Sequence, residues 1–250
     1  MSVARLTFVH AKYSLIETSR IPIAIIGSLV FPVLSLLFFV VPQRAVADNP
    51  LYATQAIISL SVFAVLANGL FSFGLGIAEN REKAWDPYLR TLPAPGIARV
   101  LAHIFSTGLM ALVSIIPVIV VGGLFTAASA PLPNVLAGFV ALAVSSLPFM
   151  VMGICVGYAL PQKAAIAVVQ VLMFGLAFGG GLFLPPILFA DWLNTLSMFL
   201  PSRSAREIVV WAVQGGELPW WAVAGWAAWT AVTLVLALIL FRRDEGRRFR

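Results

Sequence analysis

Charged residues are scarce in this chain of 250 residues. Asp, Glu, Lys and Arg together make up 10% of it, whereas hydrophobic residues make up 61%. Soluble domains carry about 25% charged residues, and a soluble globule of this size has too much surface for so few charges to cover. The composition therefore indicates an integral membrane protein and excludes a cytosolic enzyme, a secreted domain and a disordered chain.

The residue types and motifs of several kinds of site are also missing. Cys155 is the single cysteine, which excludes an internal disulfide framework and a cysteine-only metal cluster, and its apolar surroundings favour a small buried side chain. The two histidines, His10 and His103, lack zinc-ligand spacing. No Walker A sequence and no G-x-S-x-G is present. We therefore predict no catalytic site, no metal and no cofactor in this chain.

Long charge-free runs predict where the chain crosses the bilayer. A helix needs about 20 apolar residues to cross a hydrocarbon core of about 30 Å. The runs, divided by a turn with two prolines at 127–134, predict six transmembrane helices at 21–41, 53–78, 100–126, 135–160, 165–184 and 218–241. A cleaved signal peptide ending at residues 45–47 is the competing interpretation of the first run. That run is longer than a signal h-region, which favours a span.

The basic residues predict the orientation of these spans. Of the 16 Lys and Arg residues, 13 fall on one side and 3 on the other, and such an excess marks the cytoplasmic side. The larger set is Arg5, Lys12, Arg20, Arg81, Lys83, Arg90, Arg99, Lys163, Arg242, Arg243, Arg247, Arg248 and Arg250, and the smaller set is Arg44, Arg203 and Arg206. We predict a multi-pass protein of a bacterial inner membrane with both termini cytoplasmic. The spread of the charge over short segments disfavours a nucleic-acid partner.

Residues 3–19 precede the first span and have helical periodicity. Leu6, Val9, Tyr13 and Ile16 recur at helical spacing, while Arg5, Lys12 and Arg20 fall on another face. This pattern predicts an amphipathic helix that lies on the inner leaflet. A simple membrane anchor is the alternative.

Residues 79–99, between spans two and three, form the most polar stretch of the chain. Charged side chains alternate there with aromatic residues and leucines. A short helix with an apolar stripe and mixed charges suits docking into a groove of a soluble partner, whereas a solvated loop is the alternative. The residues predicted to contact a partner are Glu79, Arg81, Glu82, Lys83, Trp85, Tyr88, Leu89 and Arg90.

Residues 179–206 are the corresponding outer segment. Three glycines end span five, two prolines follow, and the next apolar stretch is too short to cross the membrane before it ends at Pro201. We predict a re-entrant or interfacial hairpin, with an ordinary surface loop as the alternative. Its marker residues are Gly179, Gly180, Gly181, Pro185, Pro186, Asp191, Trp192 and Pro201.

Acidic residues are missing from all six predicted spans. Ion-driven transporters place carboxylates or histidines within the membrane as coupling sites. If this chain moves a solute, another subunit therefore supplies the energy, and the scattered Ser, Thr, Asn and Gln of the spans suit a lipid-like or amphipathic substrate. A self-contained channel or secondary transporter, and a scaffold without transport, are the alternatives.

Together these features resemble the permease subunits of the ABC transporter type-2 export family. The resemblance covers nearly the whole chain: an elbow-like helix before six spans, a charged loop after span two, and a Gly-rich end of span five that runs into an outer hairpin. In that family the loop typically begins with E-R-E-x-G-T and reaches a T-x-P. Here it reads Glu79-Asn80-Arg81-Glu82-Lys83-Ala84-Trp85 and then Thr91-Leu92-Pro93, with Ala84-Trp85 in place of the Gly-Thr pair.

The resemblance implies an all-α polytopic membrane protein with a single transmembrane domain over residues 1–250. Its parts would be an elbow helix at 1–20, a cytoplasmic coupling helix within 79–96, an outer re-entrant hairpin at 185–206 and a basic cytoplasmic tail at 242–250. It further implies two copies of a separate ABC ATPase subunit that binds ATP and Mg, a second permease copy or a related permease, surrounding membrane lipids, and export by alternating access.

Overall fold

The computed structural model describes residues 3–19, 30, 32–83 and 96–247, and every regular element within them is helical. A π-helical stretch lies at Leu36–Val40 and a 3₁₀ turn at Pro186–Leu188. The helices are α1 (Val3–Ser19), α2 (Arg44–Ala47), α3 (Pro50–Glu82), α4 (Gly96–Phe125), α5 (Leu132–Ala159), α6 (Gln162–Gly179), α7 (Asp191–Ser197), α8 (Pro201–Gln214) and α9 (Trp220–Arg247).

Five helices in the described part of the chain are long and apolar enough to cross a membrane: α3, α4, α5, α6 and α9. They match predicted spans two to six in order, and their ends differ from the predicted ends by a few residues. The chain is thus a multi-pass helical membrane protein. About half of predicted span one, residues 21–29 and 31, lies outside the described residues, and residues 32–40 of it are helical.

The five long helices alternate in direction, so their ends collect at two rims of the bundle. We call the first the Arg81 rim, where the ends of α3, α5 and α9 and the start of α6 meet. We call the second the Arg206 rim, where the end of α8 lies beside the starts of α3 and α5.

Helices α3 and α5 cross at the centre of the bundle. Phe73 and Phe149 are completely or almost completely buried at this crossing. A Cβ atom added to Gly153 of α5 would lie 2.6 Å from the carbonyl oxygen of Gly69 of α3. Only glycine permits so close an approach of two backbones, as is common where membrane helices pack.

The N-terminal helix α1 packs against α4. Ala11 is buried in this contact, whereas Phe8 and Tyr13 are well exposed. The small residue of α1 therefore faces the protein. Val9 and Tyr13 of the predicted apolar stripe are exposed, as are Arg5 and Lys12, whereas Leu6 and Ile16 are half-buried. The location of α1 on the inner leaflet stays a prediction.

Candidate functional site

Arg81 lies near the end of α3 and joins three helices. Its guanidinium donates hydrogen bonds to the carbonyl oxygen of Gly157 in α5, at 2.8 Å, and to Oδ1 of Asp244 in α9, at 2.5 Å. The guanidinium carbon also lies 5.8 Å from the ring centroid of Tyr158. The charge of Asp244, whose side chain is 6% exposed, is thereby matched by an arginine and not left alone.

Glu82 connects the same rim to α6. Its Oε1 accepts a hydrogen bond of 2.9 Å from the backbone N–H of Gln162, the first residue of that helix. The first N–H groups of a helix lack partners within the helix, and a negative charge is favourable there. Glu82 thus caps a helix that begins 80 residues later in the sequence.

Two other predicted contact residues form a pair on the surface of α3. The Nζ atom of Lys83 lies 3.1 Å from Oε1 of Glu79, one helical turn earlier, and 2.9 Å from Oδ1 of Asn80. Both side chains of the ion pair are partly exposed. The remaining predicted contact residues, Trp85, Tyr88, Leu89 and Arg90, lie outside the described residues.

The Arg81 rim therefore holds together the ends of four spanning helices at the point where residues 84–95 begin. Arg81 links α3 to α5 and α9, and Glu82 links α3 to α6. The chain after Lys83 therefore leaves the bundle directly beside contacts that involve all four helices.

At the Arg206 rim, α6 ends five residues before the predicted end of span five. Gly181 has φ +76°, and the N–H groups of Gly181 and Leu182 donate to the carbonyl oxygens of Phe178 and Ala177. This is the Schellman arrangement, in which a residue in the left-handed region closes the helix. The run of apolar residues continues, but the helix cannot, because the turn reverses the backbone at Gly181.

The glycines at this end of α6 also allow the start of α8 to pack closely against it. A Cβ atom on Gly179 would lie 2.8 Å from Leu200, and one on Gly180 would overlap the Ser202 hydroxyl, which donates a 2.6 Å hydrogen bond to the Leu176 carbonyl. In this structure these glycines serve close packing within one chain.

The other predicted markers of the outer segment separate into buried and exposed positions. Pro201 opens α8 as its first residue and is buried, in keeping with the fixed φ that suits proline to a helix start. Pro185 and Pro186 are partly buried around the 3₁₀ turn. Asp191 and Trp192 are exposed at the start of α7. The structure therefore does not bring all eight markers together.

A buried charge network on α8 is the feature that the sequence did not reveal. Arg206 Nε donates to Ser59 Oγ at 2.9 Å, and another guanidinium nitrogen donates to Gln55 Oε1 at 3.1 Å. Oε1 of Glu207 lies 2.6 Å from Nη1 of Arg206 and 3.2 Å from Nε of Arg203. The contact with Arg203 is an ion pair without a hydrogen bond at Nε. The cluster fixes α8 to α3.

Two further hydrogen bonds extend this network towards the start of α3. Gln55 Nε2 donates to Gln214 Oε1 at 3.2 Å, and Gln214 Nε2 donates to the carbonyl oxygen of Leu51 at 3.1 Å. Gln55 and Ser59 are four residues apart, and so are Arg203 and Glu207, which places each pair on one helical face. That spacing was the only available signal in the sequence.

Glu207 is an acidic residue that is largely buried in the helical bundle, although the predicted spans contain none. It lies on α8, outside the five spans, yet its side chain is 16% exposed and packs beside α3. Two arginines face this carboxylate, so it has a structural ion-pair partner and not a free relay position. Among the described residues, no group of three or more His, Cys, Asp or Glu could hold a metal ion.

Comparison with known proteins gives one likeness of full length. No family model matches the chain. It is 23% identical over 240 residues to the "Putative transport permease YvfS" of Bacillus subtilis (strain 168), which covers 94% of this chain and 98% of that protein. The likeness supports the resemblance to a transport permease and is consistent with the ABC type-2 kind.

Proposed function

We propose that this chain, similar over almost its whole length to a transport permease, is the membrane subunit of an ATP-driven ABC exporter. It moves an amphipathic or lipid-like substrate out of the cytoplasm or the inner leaflet by alternating access. The chain carries no catalytic site of its own, and ATP with Mg is bound by a separate ATPase.

The Arg81 rim supports a coupling role for the residues that follow it. An ATPase that binds residues 79–96 would act on the chain where Arg81 and Glu82 join α3 to α5, α6 and α9. This junction is the observation that carries the proposal, because it offers a mechanical connection from one surface segment to four spanning helices. In this arrangement the Arg81 rim faces the cytoplasm, and both termini lie on the same side.

The complete exporter contains two ATPase subunits and a second permease, either another copy of this chain or a related one. Surrounding lipids cover the apolar faces of the helices. α1 lies on the inner leaflet, with its exposed aromatic residues in the lipid and its basic residues at the headgroups. We place the assembly in a bacterial inner membrane.

The test is co-expression of the chain with its candidate ATPase. Trp85→Ala and Glu82→Lys should weaken the complex and uncouple ATP hydrolysis from transport, since both positions lie in the proposed docking segment. Arg44→Ala is the matched control, because Arg44 is exposed at the opposite rim. Unchanged complex formation and unchanged coupling in both docking variants would contradict the proposal.

A self-contained transporter is distinguished by reconstituting the chain alone. Solute movement under an ion gradient, without any ATPase, would replace the exporter proposal. The geometry of Glu207 argues against this alternative, because its carboxylate already has two arginine partners and is not an open coupling site.

A further inference from the structure

A cavity of about 310 Å³ lies between four helices in the half of the bundle near the Arg206 rim. Its walls come from α3, α4, α5 and α8 and include Thr54, Ser61, Gly123, Phe139 and Val209. The lining residues of α3, from 54 to 61, lie about 6 to 17 Å along that helix from its start at Pro50, at a rise of ~1.5 Å per residue.

The chemistry of the walls is apolar. The two lining hydroxyl groups on α3 are already used, since Thr54 donates to the carbonyl oxygen of Pro50 at 2.7 Å and Ser61 to that of Ile57 at 2.8 Å. The charge network on α8 does not contribute to the lining. The one other hydroxyl in the lining belongs to Ser129, in the exposed turn between α4 and α5. A polar or charged ligand would therefore lose its hydration and meet few donors, whereas an apolar ligand has no such hydration to lose.

The exposed part of the cavity lining lies where α4 passes into α5. Gly123, near the end of α4, and Ser129, in the turn that joins the two helices, are exposed. The neighbouring exposed side chains on the two helices are large and apolar, namely Val120 and Leu124 on α4 and Leu132 and Leu136 on α5. A hydrocarbon chain that approaches from the bilayer would meet this apolar border on two spanning helices.

We propose that this cavity binds a single hydrocarbon chain that enters laterally from the bilayer. Its volume is about twice that of a ~150 Å³ apolar cavity that holds one benzene molecule, and it falls at the lower end of the range for ligand pockets. The chain belongs either to a phospholipid or to a single-chain amphiphile, and both present the same chemistry to the walls.

Gly123 gives a clean way to close the site. A Cβ atom added there meets no atom within 4 Å, so a larger side chain can enter the cavity without displacing a neighbour. Gly175 on α6 is equally open but does not line the cavity, which makes it the matched control. Both substitutions replace an exposed glycine within a helix.

The test uses the full chain alone in phosphatidylcholine vesicles. One set of vesicles contains a phospholipid with a photoreactive diazirine in its acyl chain, and a second set contains a single-chain diazirine fatty acid. Adducts are mapped by mass spectrometry at Val209 and Val213, which line the cavity and are 1% and 9% exposed. Val232 on α9, which is well exposed, reports contact with the surrounding lipid.

We expect adducts at Val209 and Val213 in the unmodified chain. Gly123→Leu should reduce them by roughly tenfold, since each methylene kept out of the cavity forfeits its apolar burial, and Gly123→Ala should reduce them less. Gly175→Leu should leave them unchanged, and adducts at Val232 should be equal in all variants. If Gly123→Leu also alters Val232, the fold is disturbed and Gly123→Ala decides the question.

The two probes identify the source of the chain. Labelling by the phospholipid assigns the site to a bilayer lipid, and labelling by the fatty acid alone assigns it to a single-chain amphiphile. The proposal is overturned if neither probe reaches Val209 or Val213, or if Gly123→Leu and Gly175→Leu give equal adducts. Because no ATPase is present, failure here leaves the exporter proposal untouched.

Discussion

The Arg81 rim and the Arg206 rim both set arginine against a carboxylate, yet they use the pair differently. At the first, Arg81 and Asp244 join the ends of spanning helices where the chain leaves the bundle. At the second, Arg206 and Glu207 fix α8, a helix that is not among the five spans, to the side of α3.

The difference lies in which side chain of each pair is shielded from water and in how many partners the arginine holds. At the Arg81 rim Asp244 is 6% exposed and Arg81 22%, whereas at the Arg206 rim Arg206 is 5% exposed and Glu207 16%. Arg206 holds Ser59 and Gln55 as well as Glu207, whereas Arg81 holds the Gly157 carbonyl and Asp244. A buried polar group that loses its partner keeps its cost of desolvation, so the Arg206 network should contribute more to stability because more groups lose a partner with it.

The largest effect is expected for Arg206→Met. The substitution removes the hydrogen bonds to Ser59 and Gln55 and leaves Glu207 with Arg203 alone, so the free energy of unfolding in detergent should fall by about 3 kcal/mol. Arg44→Met, in an exposed pair with Asp48, should cost less than about 1 kcal/mol. Equal losses in the two variants would show that burial does not distinguish the pairs.

A smaller effect is expected at the other rim. Arg81→Met should lower the free energy of unfolding by about 2 kcal/mol, the range for hydrogen bonds to charged groups. The double variant with Asp244→Asn should lose less than the sum of the two single losses, because both remove one interaction. Additive losses would mean that the pair is not coupled. The control is Arg242→Met, because Arg242 is an exposed arginine on α9, the helix that carries Asp244.

Glu82→Ala should have a still smaller effect, of about 1 kcal/mol, because one capping contact at the start of α6 is lost. Hydrogen exchange of the amide of Gln162 should increase, and amides in the middle of α6 should stay protected. Glu82→Gln should behave in between, since its amide oxygen still accepts a hydrogen bond without the negative charge. Unchanged exchange at Gln162 in Glu82→Ala would remove the capping role.

The smallest effect is expected for Glu79→Gln. Its ion pair with Lys83 is partly exposed and one turn apart on the same helix, and such pairs contribute less than about 0.5 kcal/mol. The loss should also shrink in high salt, because exposed charges are screened. A loss as large as that of Arg81→Met would show that the exposed pair belongs to the inter-helix junction.

The positions of spans two to six were predictable because the bilayer allows few structures. A long charge-free run must form a helix there, since its backbone groups have no water to bond. The ends were less predictable. Helix α3 continues to Glu82, past the predicted end at 78, because charged residues are tolerated once the helix leaves the hydrocarbon. Helix α6 stops at Gly179 because Gly181 closes it.

The candidate site was predictable only in part. Glu79, Arg81, Glu82 and Lys83 were identified from their place in the most polar segment, but their partners were not. Asp244 lies 163 residues after Arg81, and Gly157 lies 76 residues after it. No local pattern relates residues at such separations, because their contact depends on how the spans are arranged around one another.

The sequence by itself determined the membrane character, the order and approximate position of the spanning helices, and the interruption of regular helix between α6 and α8. These follow from hydrophobicity, charge-free length and the backbone limits of proline and glycine, all of which act locally. Only the tertiary structure decided that Arg206 donates to Ser59 of α3, that Ser202 packs directly against Gly180, and that a cavity remains beside Gly123. Those features arise where helices far apart in sequence meet, and side-chain shape and desolvation there select one arrangement.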